Sequence, residues 1–398
     1  MIKRILSTKF RETVGKFPAV FISGPRQSGK TTLARMSFPK YKYVSLEDID
    51  ERNFAKDDPR GFLSRYHHNV ILDEIQRVPE LFSYLQTEID RDDAPGRFIL
   101  TGSQQFLLME KIGQTLAGRV ALLHLLPFSL SELAGSRPID PFKFEDTKTV
   151  KKIPPYPLEM ILYQGLYPRI YDKKLTAHQW LGDYYRTYVE RDVRDVLKIG
   201  NLDTFQRFVR LCAGRSGQIL NLSSLANDCG ITHPTARQWI SVLQASFIIT
   251  LIQPHYANFS KRLIKSPKLY FLDSGLLCYL LRIREPEELK THAMRGAIFE
   301  SFVISEIYKA FASIGEEPPL YFWRDRTGHE IDLIIDMGQK LLPVEIKSSY
   351  TIASDFFDGI KYWLSLKGNV QKTGALVYAG TEHYKREGLS VKAWYECS

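Results

Sequence analysis

The first third of the chain alternates short apolar runs with longer amphipathic stretches. The apolar runs have the length of buried strands, and the stretches between them have the length of helices. This alternation is typical of a parallel sheet covered by helices, so the sequence predicts an α/β fold. The predicted strands are Ala19 to Ser23, Tyr41 to Leu46, Asn69 to Asp73, Arg97 to Thr101 and Val120 to Leu126.

The remaining pattern indicates further domains. Residues 135–157 are rich in Pro, Lys and Asp, which is typical of a surface linker. From Leu158 to about Gly217 the pattern is mostly helical, and beyond Pro286 it mixes helix and strand. We predict an α/β core at 1–140, a linker and helical lid at 141–205, a winged helix-turn-helix at 206–285 and a C-terminal α/β domain at 286–398.

A phosphate-binding loop follows the first predicted strand. Residues 24–31 fit the pattern G-x-x-x-x-G-K-[ST] between a strand and a helix, which is the context that this motif requires. Backbone N–H groups of such a loop surround phosphates, Lys30 adds a positive charge, and Thr31 is expected to bind Mg²⁺. The predicted nucleotide contacts in this segment are Gly24, Pro25, Arg26, Gln27, Ser28, Gly29, Lys30, Thr31 and Thr32.

Two carboxylates end the third predicted strand. Asp73 and Glu74 follow an apolar run, and the carboxyl end of such a strand faces the ligand crevice of a parallel sheet. Asp73 is predicted to complete the magnesium shell, and Glu74 to act as the general base that activates water. An exposed acidic turn is the alternative. The pairing of these acids with the phosphate loop favours ATP hydrolysis over simple nucleotide binding.

Two further polar positions have open assignments. Ser103 or Gln104, after the fourth strand, is predicted either to sense the γ-phosphate or to cap the helix that begins near Phe106. Arg119 lies just before the fifth strand and is either an arginine finger for a neighbouring subunit or a surface arginine.

These motifs resemble a large, mostly uncharacterised group of prokaryotic AAA-type (AAA+) P-loop ATPases that carry a C-terminal domain of unknown function. The resemblance covers essentially the whole chain and implies an oligomer, with a hexamer as one form. Members usually have Gly-Gly before an aromatic residue and Pro, whereas this chain has Gly165-Leu166-Tyr167-Pro168, so the role of that turn is open. The resemblance rests on residues 24–31, 72–76, 100–104, 117–119 and 268–276.

A helix-turn-helix pattern predicts a nucleic-acid module. One helix is predicted from Leu222 to Gly230 and a second from Thr232 to Leu243, and a strand from Phe247 to Leu251 favours a winged form. Contact with another subunit or domain is the alternative. The predicted contacts with DNA are Arg237 and Gln238 on the second helix and the basic residues Lys261, Arg262, Lys265 and Lys268.

The C-terminal segment resembles the PD-(D/E)xK nuclease fold. Glu345 and Lys347 are two residues apart on a predicted strand and share a face, and Asp332 lies on the adjacent strand. Glu300, on an upstream helix, matches an additional acidic residue of such nucleases. Glu300, Asp332 and Glu345 are predicted to bind Mg²⁺ or Mn²⁺, with Lys347 stabilising charge on a phosphate. Whether the site cleaves DNA is left open, since a solvated carboxylate–lysine pair is the alternative.

Composition adds limits to this picture. The net charge is +9, which favours anionic partners. The four cysteines are scattered without zinc-site spacing, and no apolar stretch reaches the length of a membrane helix. We therefore expect a cytoplasmic protein without a membrane partner.

The sequence supports two hypotheses of function. The first is Mg²⁺-dependent ATP hydrolysis coupled to binding and processing of DNA. The second is an ATP-dependent switch or scaffold whose nuclease-like domain binds without cleaving. A small-molecule kinase is disfavoured by Glu74 beside Asp73 and by the long C-terminal half.

Overall fold

The computed structural model describes residues 2–103, 116–146, 152–190, 202–255 and 266–398. Two β-sheets organise this part of the chain, one of five strands and one of eight. Within the described ranges, no helix combines the length and the apolar composition that a membrane crossing requires. Short 3₁₀ turns occur at Ile75–Arg77, Pro141–Lys143, Pro286–Lys290, Ser354–Phe357 and Trp394–Glu396.

The five-stranded sheet is parallel, in the order β2-β3-β4-β1-β5. The five predicted strands are confirmed, with the main differences at the ends of the second and fifth strands. One strand, β4, lies between β1 and β3. The strands are β1 (Ala19–Ser23), β2 (Lys42–Ser45), β3 (Val70–Asp73), β4 (Phe98–Gly102) and β5 (Val120–His124).

Helices cover both faces of this sheet, as the near-continuous apolar strands require. Alternate residues of β1 enter different cores, with Phe21 on one face and Val20 and Ile22 on the other. The helices around the sheet are α1 (Ser7–Val14), α2 (Lys30–Ser37), α3 (Ile49–Asp57), α4 (Pro59–Arg65) and α5 (Leu81–Arg91). The short helix α6 (Leu130–Ala134) follows β5, and its Leu130 packs in the core of the later part of the chain.

The middle of the chain is helical, as predicted. Gly165 ends the first of these helices with a φ of 65°, and a Cβ atom there would lie 2.2 Å from the Asp273 carboxylate. Asp273 accepts a hydrogen bond from the backbone N–H of Leu166 at 2.8 Å, which gives the turn at Gly165 a structural role. The helices are α7 (Leu158–Gln164), α8 (Pro168–Lys173), α9 (Ala177–Tyr184), a π-helix (Tyr185–Glu190), α10 (Leu202–Gly214), α11 (Leu222–Cys229), α12 (His233–Ala245) and α13 (Ser274–Leu280).

The eight-stranded sheet is mixed, in the order β12-β13-β11-β10-β9-β8-β6-β7. Two of its strands, β6 and β7, follow the helix-turn-helix pair and form an antiparallel hairpin, and β6 then pairs with β8. The sheet therefore crosses the predicted boundary at residue 286. Its elements are β6 (Ile249–Pro254), β7 (Lys268–Phe271), α14 (Arg295–Ser313), β8 (Leu320–Arg324), β9 (Glu330–Asp336), β10 (Leu341–Lys347), α15 (Asp358–Ser365), β11 (Ala375–Tyr378), β12 (Tyr384–Arg386) and β13 (Leu389–Ala393).

A buried ion pair joins the two halves of the molecule. Lys309 and Glu306, both on α14, lie 2.5 Å apart, and Glu306 is fully buried. Lys309 also donates to the carbonyl of Phe128, and Glu306 accepts from the N–H of Leu130 at 2.8 Å. Both charged groups thus form hydrogen bonds with the backbone of residues 128–130. These hydrogen bonds compensate the buried charges and fix the long helix α14 against this segment.

Candidate functional site

The phosphate loop joins β1 to α2 and depends on two glycines. A Cβ atom at Gly24 would lie 2.1 Å from the carbonyl oxygen of Leu125, so no larger residue fits. Gly29 has a φ of 94° and precedes Lys30, the first residue of α2. The Lys30 ammonium donates to the carbonyls of Gly24 and Pro25 at 3.0 and 2.9 Å. Burial lowers the pKa of Lys30 to about 8, although Glu74 and Asp73 act in the opposite direction.

Asp73 is the centre of a hydrogen-bond network at the carboxyl end of β3. The Thr31 hydroxyl lies 3.0 Å from both carboxylate oxygens of Asp73, and the Tyr43 hydroxyl donates to one of them at 2.8 Å. Thr101, at the end of the neighbouring strand β4, also donates to Asp73. All three donors are uncharged, so the carboxylate is held in place without being neutralised. A threonine hydroxyl and a carboxylate are the oxygen ligands that Mg²⁺ prefers, so Thr31 and Asp73 fit this ion.

Glu74 has an unusual backbone conformation directly after β3. Its φ of 55° and ψ of 44° are left-handed, which costs roughly 1–2 kcal/mol for a residue other than glycine. The Gln76 side-chain amide donates to the Glu74 carboxylate and also to the Ser103 hydroxyl, at 3.1 Å. Burial raises the pKa of Glu74, while Lys30 and the Gln76 amide act to lower it.

The structure brings Lys30, Thr31, Asp73, Glu74 and Ser103 to one edge of the parallel sheet, as the sequence predicts. Gln104 lies outside the described residues. Sequence reasoning missed Tyr43, Thr101 and Gln76, and only Thr101 and Gln76 lie in segments that the motifs had already marked. In the rest of the loop, Ser28 is buried, Thr32 is exposed, Gln27 has a φ of 63°, and the Arg26 guanidinium lies 5.6 Å from the centre of the Tyr188 ring.

Arg119 lies at the amino-terminal ends of the strands, whereas the phosphate loop lies at their carboxyl-terminal ends. It precedes β5, whose first residue, Val120, is level with Ala19 at the start of β1. The five residues of β1 place it roughly 16 Å from the phosphate loop at about 3.3 Å per residue. Its guanidinium pairs with the Asp90 carboxylate at 2.5 and 3.1 Å. Arg119 is thus paired with Asp90 near the surface, at a distance from the nucleotide site of its own chain.

Arg4 connects the phosphate loop to the rest of the protein. Its guanidinium donates to the carbonyls of Ser28 and Leu126, each at 2.6 Å, and to the Glu132 carboxylate at 3.0 Å. Glu132 lies on α6, two residues after Leu130, whose N–H donates to the Glu306 carboxylate of α14. Polar contacts on the short helix α6 therefore connect the loop with the C-terminal half.

A second polar centre lies in the eight-stranded sheet, and we call it the carboxylate–lysine cluster. Its members are Glu300, Glu330, Asp332, Glu345, Lys268, Lys347 and Tyr270.

The predicted quartet of Glu300, Asp332, Glu345 and Lys347 lies within this cluster. Lys347 contacts Glu345 at 2.8 Å and Asp332 at 3.6 Å, and Asp332 accepts from the N–H of Ile346 at 2.8 Å. Glu300 accepts from the Tyr270 hydroxyl at 2.5 Å. Among the described residues, however, no group of three or more Asp, Glu, His or Cys side chains is arranged to hold a metal ion. The predicted metal site at Glu300, Asp332 and Glu345 is therefore not supported.

The cluster compensates much of its own charge. Burial raises the pKa of Glu300 to about 7 and that of Glu345 well above its usual range, and Asp332 adds to both effects. Burial acts to raise the pKa of Asp332 as well, but Lys347, Lys268 and the hydrogen bonds that Asp332 accepts together hold that pKa below its usual value. Two ammonium groups thus face four carboxyl groups, of which two have a raised pKa.

The prediction that Lys268 contacts DNA is wrong in this structure. Lys268 is 3% exposed, forms ion pairs with Glu300 and Glu330, and belongs to the carboxylate–lysine cluster. The pattern of basic residues around it indicated a surface strip, but β7 turns this side chain into the sheet interior. Lys261, Arg262 and Lys265 lie outside the described residues, whereas Arg237 and Gln238 are exposed on α12, as predicted.

Comparison with known proteins identifies the nucleotide-binding part. A family model described as an AAA domain matches residues 16–134, and two models described as domains of unknown function, DUF8612 and DUF4143, match residues 156–287 and 295–395. The "Uncharacterized protein Rv2008c" of Mycobacterium tuberculosis is 30% identical over 353 residues, which are 88% of this chain and 74% of that protein. The "Uncharacterized protein Mb2031c" of Mycobacterium bovis has the same values.

This chain belongs to the family of these two mycobacterial proteins. Its AAA domain makes it an AAA-type ATPase, which confirms that part of the sequence prediction. The family match leaves the C-terminal domain without an assigned function.

Two solved structures are more distant. A Walker-type ATPase of Pyrococcus abyssi matches with a TM-score of 0.44 and 14% sequence identity. The match covers 69% of this chain and 94% of the archaeal chain. AMPPCP-bound DnaA from Aquifex aeolicus has a TM-score of 0.25 and 14% identity, and covers 60% of this chain and 86% of its own. Likenesses at these TM-scores support no conclusion about activity.

Proposed function

We propose that this AAA-type ATPase hydrolyses ATP with Mg²⁺ at the edge of the parallel sheet and couples hydrolysis to DNA binding and processing by its C-terminal half. The observation that carries the hydrolytic part is the contact of Thr31 with Asp73 at 3.0 Å, beside Lys30 and Glu74. Lys30 binds the phosphates, and Thr31 and Asp73 hold the metal ion. Bound Mg²⁺ would neutralise the charge that develops on the phosphates.

Glu74 is the general base in this proposal. A carboxylate that follows the metal ligand directly can orient and deprotonate the attacking water. Burial raises the pKa of Glu74, which makes its ionised form a stronger base. The hydrogen bond from the Gln76 amide acts against burial and favours the ionised form of the carboxylate.

Arg119 acts on a neighbouring subunit in this proposal. Arg119 is too far from the nucleotide site of its own chain to contact the phosphates there. Assembly into a ring, such as a hexamer, would bring it to the nucleotide site of a neighbouring subunit. The Asp90 carboxylate holds the guanidinium in the isolated chain, so assembly must exchange this partner for the phosphate. The finger therefore requires self-association.

The DNA part of the proposal rests on charge and connection. The net charge of +9 favours an anionic partner, and Arg237 and Gln238 are exposed on the second helix of the helix-turn-helix pair. The contacts through Arg4, Glu132 and Glu306 link the phosphate loop to α14, which also carries Glu300. A change at the loop can thus reach the carboxylate–lysine cluster through packed protein.

A second function is favoured by the state of that cluster. Its carboxylates are engaged by Lys268 and Lys347, and the described residues hold no ready group of metal ligands. Such a site is suited to binding without cleavage, so the protein would be an ATP-dependent switch or scaffold. Cleavage with Mg²⁺ or Mn²⁺ would require the lysines to release Asp332 and Glu345 first.

One experiment separates these functions. ATP hydrolysis is measured with single-stranded, duplex and branched DNA, in Mg²⁺ or Mn²⁺, and the DNA is examined for breaks. We expect DNA to stimulate ATP hydrolysis. Glu74→Gln should abolish hydrolysis, and Asp332→Ala should leave the stimulation by DNA unchanged. Metal-dependent breaks that Asp332→Ala removes would favour the nuclease. If no DNA binds at low salt and none changes the rate, the DNA-processing proposal fails and the switch remains.

A further inference from the structure

Three side chains form a chain of hydrogen bonds between two strands of the nucleotide-binding sheet. Gln76, in the 3₁₀ turn after β3, donates from its amide nitrogen to the Glu74 carboxylate and to the Ser103 hydroxyl at 3.1 Å. Ser103 directly follows β4. Gln76 therefore connects the proposed base after β3 with the proposed phosphate sensor after β4.

The orientation of the Gln76 amide is set by chemistry. An ionised carboxylate only accepts hydrogen bonds, so the amide nitrogen of Gln76 must face Glu74. The same nitrogen uses an acceptor position of Ser103, which leaves the Ser103 proton available for another acceptor. A phosphate oxygen is such an acceptor.

Gly102, at the end of the neighbouring strand β4, leaves room for the Gln76 side chain. A Cβ atom there would lie 2.5 Å from the Gln76 amide oxygen and 3.4 Å from the Phe21 ring. Gln76 itself is 9% exposed. The absence of a side chain at residue 102 thus fixes the position of the amide, and the left-handed backbone of Glu74 brings the carboxylate to it.

We propose that Gln76 is a positioning residue for ATP hydrolysis, which holds the Glu74 carboxylate in place and couples its orientation to the contact of Ser103 with the γ-phosphate. When Ser103 donates to an anionic phosphate oxygen, its own oxygen becomes a stronger acceptor for Gln76. The amide is then held more firmly, and so is the carboxylate. The inference rests on the proposed function, because it assumes that Glu74 is the base.

Gln76→Met tests the inference, since methionine keeps the length and burial of the side chain but removes both hydrogen bonds. We expect kcat to fall by about 10²-fold, as for a misplaced catalytic group, and KM for ATP to stay within about threefold. A residue that only fills space would be replaced by methionine with little loss of kcat, because the two side chains have similar length and burial. The split between kcat and KM therefore separates positioning of the Glu74 carboxylate from simple packing.

Gly102→Ala is the matched variant, because it keeps Gln76 and every hydrogen-bonding group while displacing the amide. We expect a smaller loss of kcat than for Gln76→Met, again with little change in KM for ATP. The inference is overturned if either variant keeps the wild-type kcat, or if the whole loss lies in KM.

Glu74→Gln keeps this result separate from the proposed function. If Glu74→Gln hydrolyses ATP at the wild-type rate, Glu74 is not the base and the proposed function fails. An inactive Glu74→Gln together with an unaffected Gln76→Met would remove only the role of Gln76.

Discussion

The nucleotide site and the carboxylate–lysine cluster use similar residue types in opposite ways. At the nucleotide site, Asp73 is held by the uncharged hydroxyls of Thr31 and Tyr43, and the Lys30 ammonium contacts only backbone carbonyls in its immediate surroundings. In the cluster, Lys347 pairs directly with Asp332 and Glu345. Lysine and carboxylate are kept apart in the first centre and joined in the second.

This difference teaches which centre is prepared for a charged ligand. An anion that reaches Lys30 replaces weak carbonyl contacts, and a cation that reaches Asp73 replaces hydroxyl donors. A ligand of the cluster must instead break ion pairs that are partly or fully buried, and each uncompensated buried charge costs several kcal/mol. We therefore expect substitutions at the first centre to change catalysis, and substitutions at the second to change stability.

The largest effect is expected for Lys30→Ala. Loss of the ammonium removes the charge that binds the phosphates, so hydrolysis should fall by about 10³-fold. Steady-state ATPase assays measure this change. Lys16→Ala, in an exposed pair with Glu12, is the control and should leave the rate unchanged. A Lys30→Ala protein that still turns over ATP would remove the contrast between the two centres.

Lys268→Met should reduce stability rather than ATP hydrolysis. The ammonium is buried between Glu300 and Glu330, and removal of one partner from such a group costs about 3–5 kcal/mol. The midpoint of thermal unfolding at pH 8 measures the loss. Lys361→Met breaks an exposed pair with Glu387 and should shift the midpoint far less, because solvent screens this pair. Equal losses in the two variants would mean that the cluster is solvated like a surface pair.

Glu300→Gln should make stability less dependent on pH. The pKa of Glu300 is raised from 4.5 to about 7, so the folded protein binds a proton more tightly than the unfolded chain does. The resulting stabilisation is complete below pH 4.5 and is lost as the pH rises through 7. Between pH 5 and 8 the wild-type protein should lose up to about 3 kcal/mol relative to the variant in urea unfolding. Parallel curves for the two proteins would contradict the raised pKa.

The smallest effect is expected for Arg237→Ala. One exposed phosphate contact contributes modestly, so DNA affinity should fall by less than about tenfold and the salt dependence by about one unit of slope. Fluorescence anisotropy at several salt concentrations provides the measurement. Lys361→Met serves as the control for net charge. An unchanged dependence of affinity on salt would favour the alternative, in which this helix contacts protein and not DNA.

The parallel sheet and the main nucleotide residues could be predicted because they are encoded locally. The apolar strands are short and continuous, and Lys30, Thr31, Asp73 and Glu74 lie in motifs with little dependence on distant residues. Tyr43 and Thr101 could not be found this way. Their contact with Asp73 follows from the order of the sheet, in which β3 lies between β2 and β4.

The second centre was harder to read for the same reason. The quartet of Glu300, Asp332, Glu345 and Lys347 follows a known spacing, but Lys268 joins it through the pairing of β6 with β7. A local excess of basic residues predicts an exposed strip, because sequence alone does not show which way a strand faces. Gln76 lies within a recognised motif, but its contact partner Ser103 is 27 residues further along the chain. The sheet order, which the local sequence does not show, brings the two residues together.

The hairpin of β6 and β7 also limits how this protein can be divided for experiments. A fragment that starts at residue 286 would lack both strands, and β8 would become an open sheet edge, which invites aggregation. Tyr270 and Lys268 would be missing from it too, so the carboxyl group of Glu300 would lose its hydroxyl donor and its counter-charge. Failure of such a truncated protein to bind or cut DNA would reflect the damaged sheet and not the native activity, and point substitutions in the full chain are the sound alternative.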